Sequence, residues 1–166
     1  KAAKQGHIHA QYNMGIKLRI GKGINQDNEK AVHWYLKAAQ NGQVSAQSNL
    51  AYMYLYGLGI GLNYREALFW YNQAAKQGDA NAENSLGMIY QKGLGVERDY
   101  KMAINWFEKS AKNGNGMACK NLGIMHMNGW GVRRSCEIAT KWYEQAKKLG
   151  YVKAAFYLKD AKLSCK

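Results

Sequence analysis

The feature that most constrains this chain is a 36-residue repeat whose register never slips, marked by Gly6, Gly42, Gly78, Gly114 and Gly150. Ala10, Ala46, Ala82, Ala118 and Ala154 keep the same interval, as do Met14, Leu50, Leu86, Leu122 and Leu158. A second series runs through Ala31, Ala67, Ala103 and Ala139, then Trp34, Trp70, Trp106 and Trp142, then Tyr35, Tyr71, Phe107 and Tyr143. A fixed period of this length marks an array of like units, each of which buries its apolar face against its neighbours.

Within a unit the apolar spacing is helical. Ala67, Trp70, Tyr71, Ala74 and Ala75 fall at i, i+3, i+4, i+7 and i+8, one face of a helix. Ala46, Leu50, Ala51 and Tyr54 mark an earlier helix in the same unit, with small residues that admit a close neighbour. Between the two stands Gly-x-Gly, at Gly21 and Gly23, Gly57 and Gly59, Gly93 and Gly95, and Gly129 and Gly131. Glycine there predicts that the chain leaves a helix in the left-handed conformation and turns back. Asp27 and Asp99 then stand where they can cap the second helix. The glycines carry no Lys-Ser/Thr and follow no strand, so their spacing is a turn device and not a phosphate cradle.

In the third unit, Ala82-Glu83-Asn84-Ser85-Leu86-Gly87-Met88-Ile89-Tyr90, then Gly93-Leu94-Gly95-Val96, Asp99, Ala103 and Trp106-Phe107, resembles the Sel-one-like repeat family, relatives of the tetratricopeptide solenoids. The resemblance covers the whole chain. It implies an all-α fold, a right-handed α/α superhelical solenoid of 36-residue helix-turn-helix repeats in one domain spanning 1–166. The repeats are expected at 7–42, 43–78, 79–114 and 115–150, with the end of a preceding repeat at 1–6 and a C-terminal capping helix at 151–166. The outer face of that last helix, with Lys153, Lys159 and Lys162, is expected to meet water. Two departures stand out: the turn Val96-Glu97-Arg98-Asp99 lacks the proline often seen in the family, and Lys159 replaces the glycine of the Leu-Gly pair.

The resemblance also implies a non-enzymatic scaffold or adaptor, bacterial and often exported, that holds a protein partner on its concave side. A toxin-neutralising immunity protein is one form of this. First-helix positions not used by the core supply the candidate contacts: His9, Tyr12, Asn13, Ile16, Asn49, Tyr52, Tyr56, Asn84, Met88, Lys92, Lys120, Asn121, Ile124 and Asn128. Aromatic, Met and Asn side chains mixed in this way suit a partner-binding groove. Ile16, Met88 and Ile124 have packing between repeats as their competing role, and the Asn13, Asn49, Asn121 ladder has helix-to-helix bonding. The outer stripe of the second helices, such as Lys101, Asn105, Glu108 and Lys112, is charged.

Lys and Arg exceed Asp and Glu by 13, which favours a partner with an acidic surface. The excess lies toward the ends, and residues 79–114 are neutral. A nucleic-acid binder needs a continuous basic stripe with interleaved aromatics, so an acidic polymer is the second reading, through the basic end repeats. No apolar run approaches the roughly 20 residues of a membrane span, and the first six residues contain no signal-peptide core. The compartment is periplasmic or extracellular if a signal peptide has been removed and cytoplasmic otherwise. A monomer is expected.

His7 and His9 lie two apart and point to different helix faces, and neither His-x3-His nor Cys-x2-Cys occurs. No catalytic site, metal site or cofactor is therefore expected. Cys119, Cys136 and Cys165 are an odd number. Cys119 and Cys136 begin antiparallel helices at opposite ends of one unit, too far apart to bond. Cys136 and Cys165 fall at the same end of the stack, which leaves a bridge between them and free thiols as the two readings.

Overall fold

The computed structural model describes residues 7–164. Among them, every regular element is a helix: α1 (Ile8–Ile20), α2 (Asn28–Gln40), α3 (Val44–Tyr56), α4 (Tyr64–Lys76), α5 (Ala80–Lys92), α6 (Tyr100–Lys112), α7 (Gly116–Asn128), α8 (Cys136–Lys148) and α9 (Ala154–Ser164). The chain divides into two compact units, one ending at Asp79 and the other beginning at Ala80. Helices α1 to α4 form the first and α5 to α9 the second.

Local chemistry sets the helix ends. Gly21, Gly57 and Gly129 close α1, α3 and α7 with positive φ. The second helices end one residue differently, with Asn41, Gln77, Asn113 and Leu149 as caps and the left-handed glycine following each. At their starts, the N–H of Lys30 donates to Asp27 Oδ1 and that of Met102 to Asp99 Oδ1, both at 2.9 Å. Asn63 and Ser135 cap α4 and α8 in the same way. Each such cap contributes about 1 kcal/mol relative to alanine.

Packing then follows the repeat. In the first unit Ala31, Tyr35, Leu50 and Met53 are fully buried. In the second, Ala103, Phe107, Ala118, Leu122 and Met125 form one core cluster with Ile104. Full burial of a leucine side chain such as Leu50 stabilises by about 1.5–3 kcal/mol. Gly87 is required by this packing, because a Cβ there would sit 2.5 Å from the Phe107 ring. The second unit closes with α9, which packs on α8 through Ala161 and Tyr157 against Ala139 and Tyr143. Lys159 on this helix and Lys153 just before it are exposed, but so are Phe156 and Leu163, so this end is less polar than the lysines alone imply; the Lys162 side chain lies outside the described residues.

A polar clamp joins the end of each inner pair. The amide of Gln77 donates to Gln47 Oε1 at 2.9 Å, and Gln47 donates to the Ala39 carbonyl. In the second unit the matching residue is Glu83, fully buried, whose carboxylate accepts from Asn113 Nδ2 at 2.8 Å and pairs with Lys109 at 3.3 Å.

Candidate partner-binding faces

Helix α3 packs between α2 and α4, so only a narrow stripe of it is left open. On α3, Ala46, Gln47, Leu50, Ala51, Met53 and Leu55 are buried. Tyr52 and Tyr56 remain, 43% and 51% exposed, with ring centroids 4.6 Å apart. Their i, i+4 spacing places both rings on one side of the helix. Asn49, one turn earlier, is half-buried beside the Tyr35 phenol.

On α1, His9 and Asn13 are exposed, and Tyr12 and Ile16 are half-buried. The Tyr12 ring lies 6.0 Å from that of Tyr35, which ties it to the core of its own unit. Ile20, at the end of the same helix, is half exposed and extends the apolar stripe.

In the second unit, Lys92 and Asn128 are exposed, while Met88 packs against the Phe107 cluster and Ile124 against Ala139 and Tyr143. Met88 and Ile124 are therefore divided between core and surface. Asn84 and Asn121 correct an expectation: they are 5% and 6% exposed and face each other instead of solvent. Asn121 Nδ2 donates to Asn84 Oδ1 at 2.9 Å. A buried amide needs a partner, and across α5 and α7 each supplies the other's. The asparagine ladder is thus not uniform, since Asn13 is open, Asn49 lies by a phenol and Asn121 is locked. Lys120, half-buried, donates to Asn121 Oδ1 at 2.6 Å.

The second helices are less uniformly charged than their stripes suggest. Lys101, Asn105, Glu108 and Lys112 are exposed, but so are Phe69, Met102 and Ile138. Phe69 stands edge-on to Trp70 at 5.0 Å. Its position within α4 lies outside the Ala67, Trp70, Tyr71 face, and that was the available signal. Trp130, in the last Gly-x-Gly turn, stacks on Tyr100 at 5.7 Å, with the Arg98 guanidinium over the Tyr100 ring. The open groove beside it, about 600 Å³, mixes Glu97 and Asp99 with Arg98 and Lys101 and so favours neither charge.

Among the described residues no three His, Cys, Asp or Glu side chains converge as a metal site requires. No described helix is long and apolar enough to cross a membrane. Cys119 is a buried free thiol, and burial pushes its pKa up. The Cys136 to Cys165 pairing lies outside the described residues, because Cys165 does.

The Sel1 repeat family model matches residues 8–43, 44–79, 80–115 and 116–151, one residue on from the units read off the glycines. A solved protective antigen of uropathogenic Escherichia coli displaying an SLR fold is 40% identical, with a TM-score of 0.89, over 96% of this chain and 34% of its own. A Sel1 repeat protein from Oxalobacter formigenes is 34% identical, with a TM-score of 0.90, over 95% of this chain and 62% of its own. Cysteine rich protein B of Helicobacter pylori, 24% identical with a TM-score of 0.62 over 78% of this chain and 93% of its own, shares the fold. This chain thus spans about a third of the first of these and under two thirds of the second. None of the curated proteins matches.

Proposed function

This chain belongs to the Sel1 repeat family, and we propose that it is a non-enzymatic scaffold, acting as a monomer, that seats a protein partner on the open stripes of its first helices. The tyrosine pair of α3 carries this reading. Tyr52 and Tyr56 stand in water on a helix that contains no charged residue. Two adjacent aromatic rings with phenol tips, on a helix that supplies no cation of its own, suit the desolvated centre of a protein interface. An anionic polymer would instead favour a continuous row of lysines and arginines along the same helix as the rings. Ile16, Ile20, Asn13 and His9 on α1, and Met88, Lys92, Lys120, Ile124 and Asn128 in the second unit, are further contacts on the same reading.

An exported adaptor and a toxin-neutralising immunity protein are two forms this binding could take, and the activity of a captured partner separates them. The test is to capture a partner on the immobilised protein, identify it, and titrate it in purified form. The double variant Tyr52→Ala, Tyr56→Ala should weaken binding by more than about tenfold, as expected for aromatic anchors. Lys101→Ala with Lys112→Ala, on the outer stripe of α6, should change affinity by less than about twofold. Both variants must keep wild-type helicity and melting. The reading fails if the outer lysines are decisive while the tyrosines are silent in a folded protein.

A further inference from the structure

On the α5 and α7 faces of the second unit, one cation stands apart among the described residues. Lys120 is half-buried, and among the described residues no carboxylate pairs with it; Glu83 pairs with Lys109 and Glu137 with Lys141. Its ammonium meets a neutral acceptor, Asn121 Oδ1, at 2.6 Å. Asn121 is itself held by Asn84, and both are buried, so the lysine is aimed by a fixed amide pair. The same repeat position carries Tyr12, Ser48 and Asn84 in the other repeats, so only the fourth repeat places a cation there.

Partial burial of an ammonium with no counter-charge is unfavourable. Burial accordingly holds the Lys120 pKa below the ordinary lysine value, and the positive charge of Lys92 pushes the same way. An ammonium has three N–H donors, and Asn121 takes one. The other two match the two oxygens of a carboxylate, and charge-assisted bonds of that kind are about twice as strong as neutral ones.

We propose that Lys120, positioned by Asn121 and Asn84 and assisted by Lys92, is the subsite for an aspartate or glutamate side chain of the protein partner. This rests on the reading that first-helix faces take a protein partner. It assigns that partner an acidic side chain at one place, where net charge alone would spread the attraction over the surface.

The test uses the whole chain and two probes: hexaglutamate acetylated at its N-terminus and amidated at its C-terminus, and acetyl-hexaglutamine with a free C-terminus. Affinity is measured at low and physiological salt for the wild type, Lys120→Gln and Lys101→Gln. Hexaglutamate should bind the wild type, lose about tenfold or more with Lys120→Gln, and change by less than about twofold with Lys101→Gln. In the wild type, hexaglutamate should also protect Lys120 and Lys92, but not Lys101, from acetylation read by mass spectrometry. This second readout keeps the test decisive if Lys120→Gln misfolds. The inference is overturned if hexaglutamate does not bind the wild type, if Lys101→Gln weakens it as much as Lys120→Gln, or if only the free terminus of hexaglutamine binds. With a captured partner, the two ideas separate. A partner lost by the tyrosine variant and untouched by Lys120→Gln overturns the carboxylate subsite alone, whereas a partner kept by the tyrosine variant overturns the reading beneath it.

Discussion

Gly59 lies so close to the start of α2 that a Cβ on it would stand 2.3 Å from the carbonyl carbon of Asn28. The neighbour is backbone and cannot swing aside. The second glycine of this Gly-x-Gly turn is therefore a packing surface for the preceding repeat as well as a turn residue. Gly131 meets Tyr100 in the same manner in the second unit, with a Cβ at 2.7 Å from the tyrosine's own.

Gly59→Ala and Gly23→Ala should differ for this reason. Both positions have positive φ, 67° and 75°, but nothing lies within 4 Å of a Cβ on Gly23. Gly23→Ala should cost about 1–2 kcal/mol of left-handed strain alone. Gly59→Ala adds a backbone clash and should cost about 3 kcal/mol or more in total. Urea unfolding of both variants checks this, and equal losses would mean that the contact with Asn28 contributes nothing.

Glu83 can be tested as a hydrogen-bonding group or as a charge. Gln11 and Gln47 occupy its position in the first two repeats. Lys109 is half exposed and its attraction is screened, so Glu83→Gln, which keeps an acceptor for Asn113, should cost less than about 1 kcal/mol. Glu83→Ala removes the acceptor and leaves a cavity, and should cost about 2 kcal/mol or more. Chemical denaturation at neutral pH should rank the three proteins in that order.

His126 makes stability depend on pH. It holds the slot of Tyr54 and Tyr90, its Nδ1 is buried without a hydrogen bond, and burial pushes its pKa below the ordinary 6.5, with Glu108 opposing. The unfolded chain then binds more protons than the folded one just below pH 6.5. The His126 contribution should therefore be fully present above that pH and be lost as pH falls toward the folded-state pKa. His126→Tyr should flatten this part of the profile, measured as the difference between the two proteins' unfolding curves from neutral pH downward.

The pairing of Cys136 with Cys165 remains a proposal with a direct count. Cys119 is buried and should resist a thiol reagent in the native protein. Unfolding without reductant should then expose one reactive thiol if the other two are bridged, and three if they are not. Mass spectrometry of the labelled protein reads the number.

Much of this molecule was legible in one dimension, because a helical repeat is a local object. The glycine and alanine series place the helices and their turns, since a left-handed turn and a period of 3.6 depend on residues a few positions apart. The same locality exposed Tyr52 and Tyr56, whose i, i+4 spacing and position off the core face follow from helix geometry. Where a side chain's surroundings come from another helix, spacing says nothing. Asn13, Asn49 and Asn121 occupy one repeat position, yet only Asn121 meets Asn84, so an apparent ladder contains one locked amide pair. Lys120 is in sequence one more lysine among 24 basic residues. Packing of α7 against its neighbours, by partly burying that ammonium with no carboxylate beside it among the described residues, is what distinguishes it, because burial and pairing arise between helices and not along one.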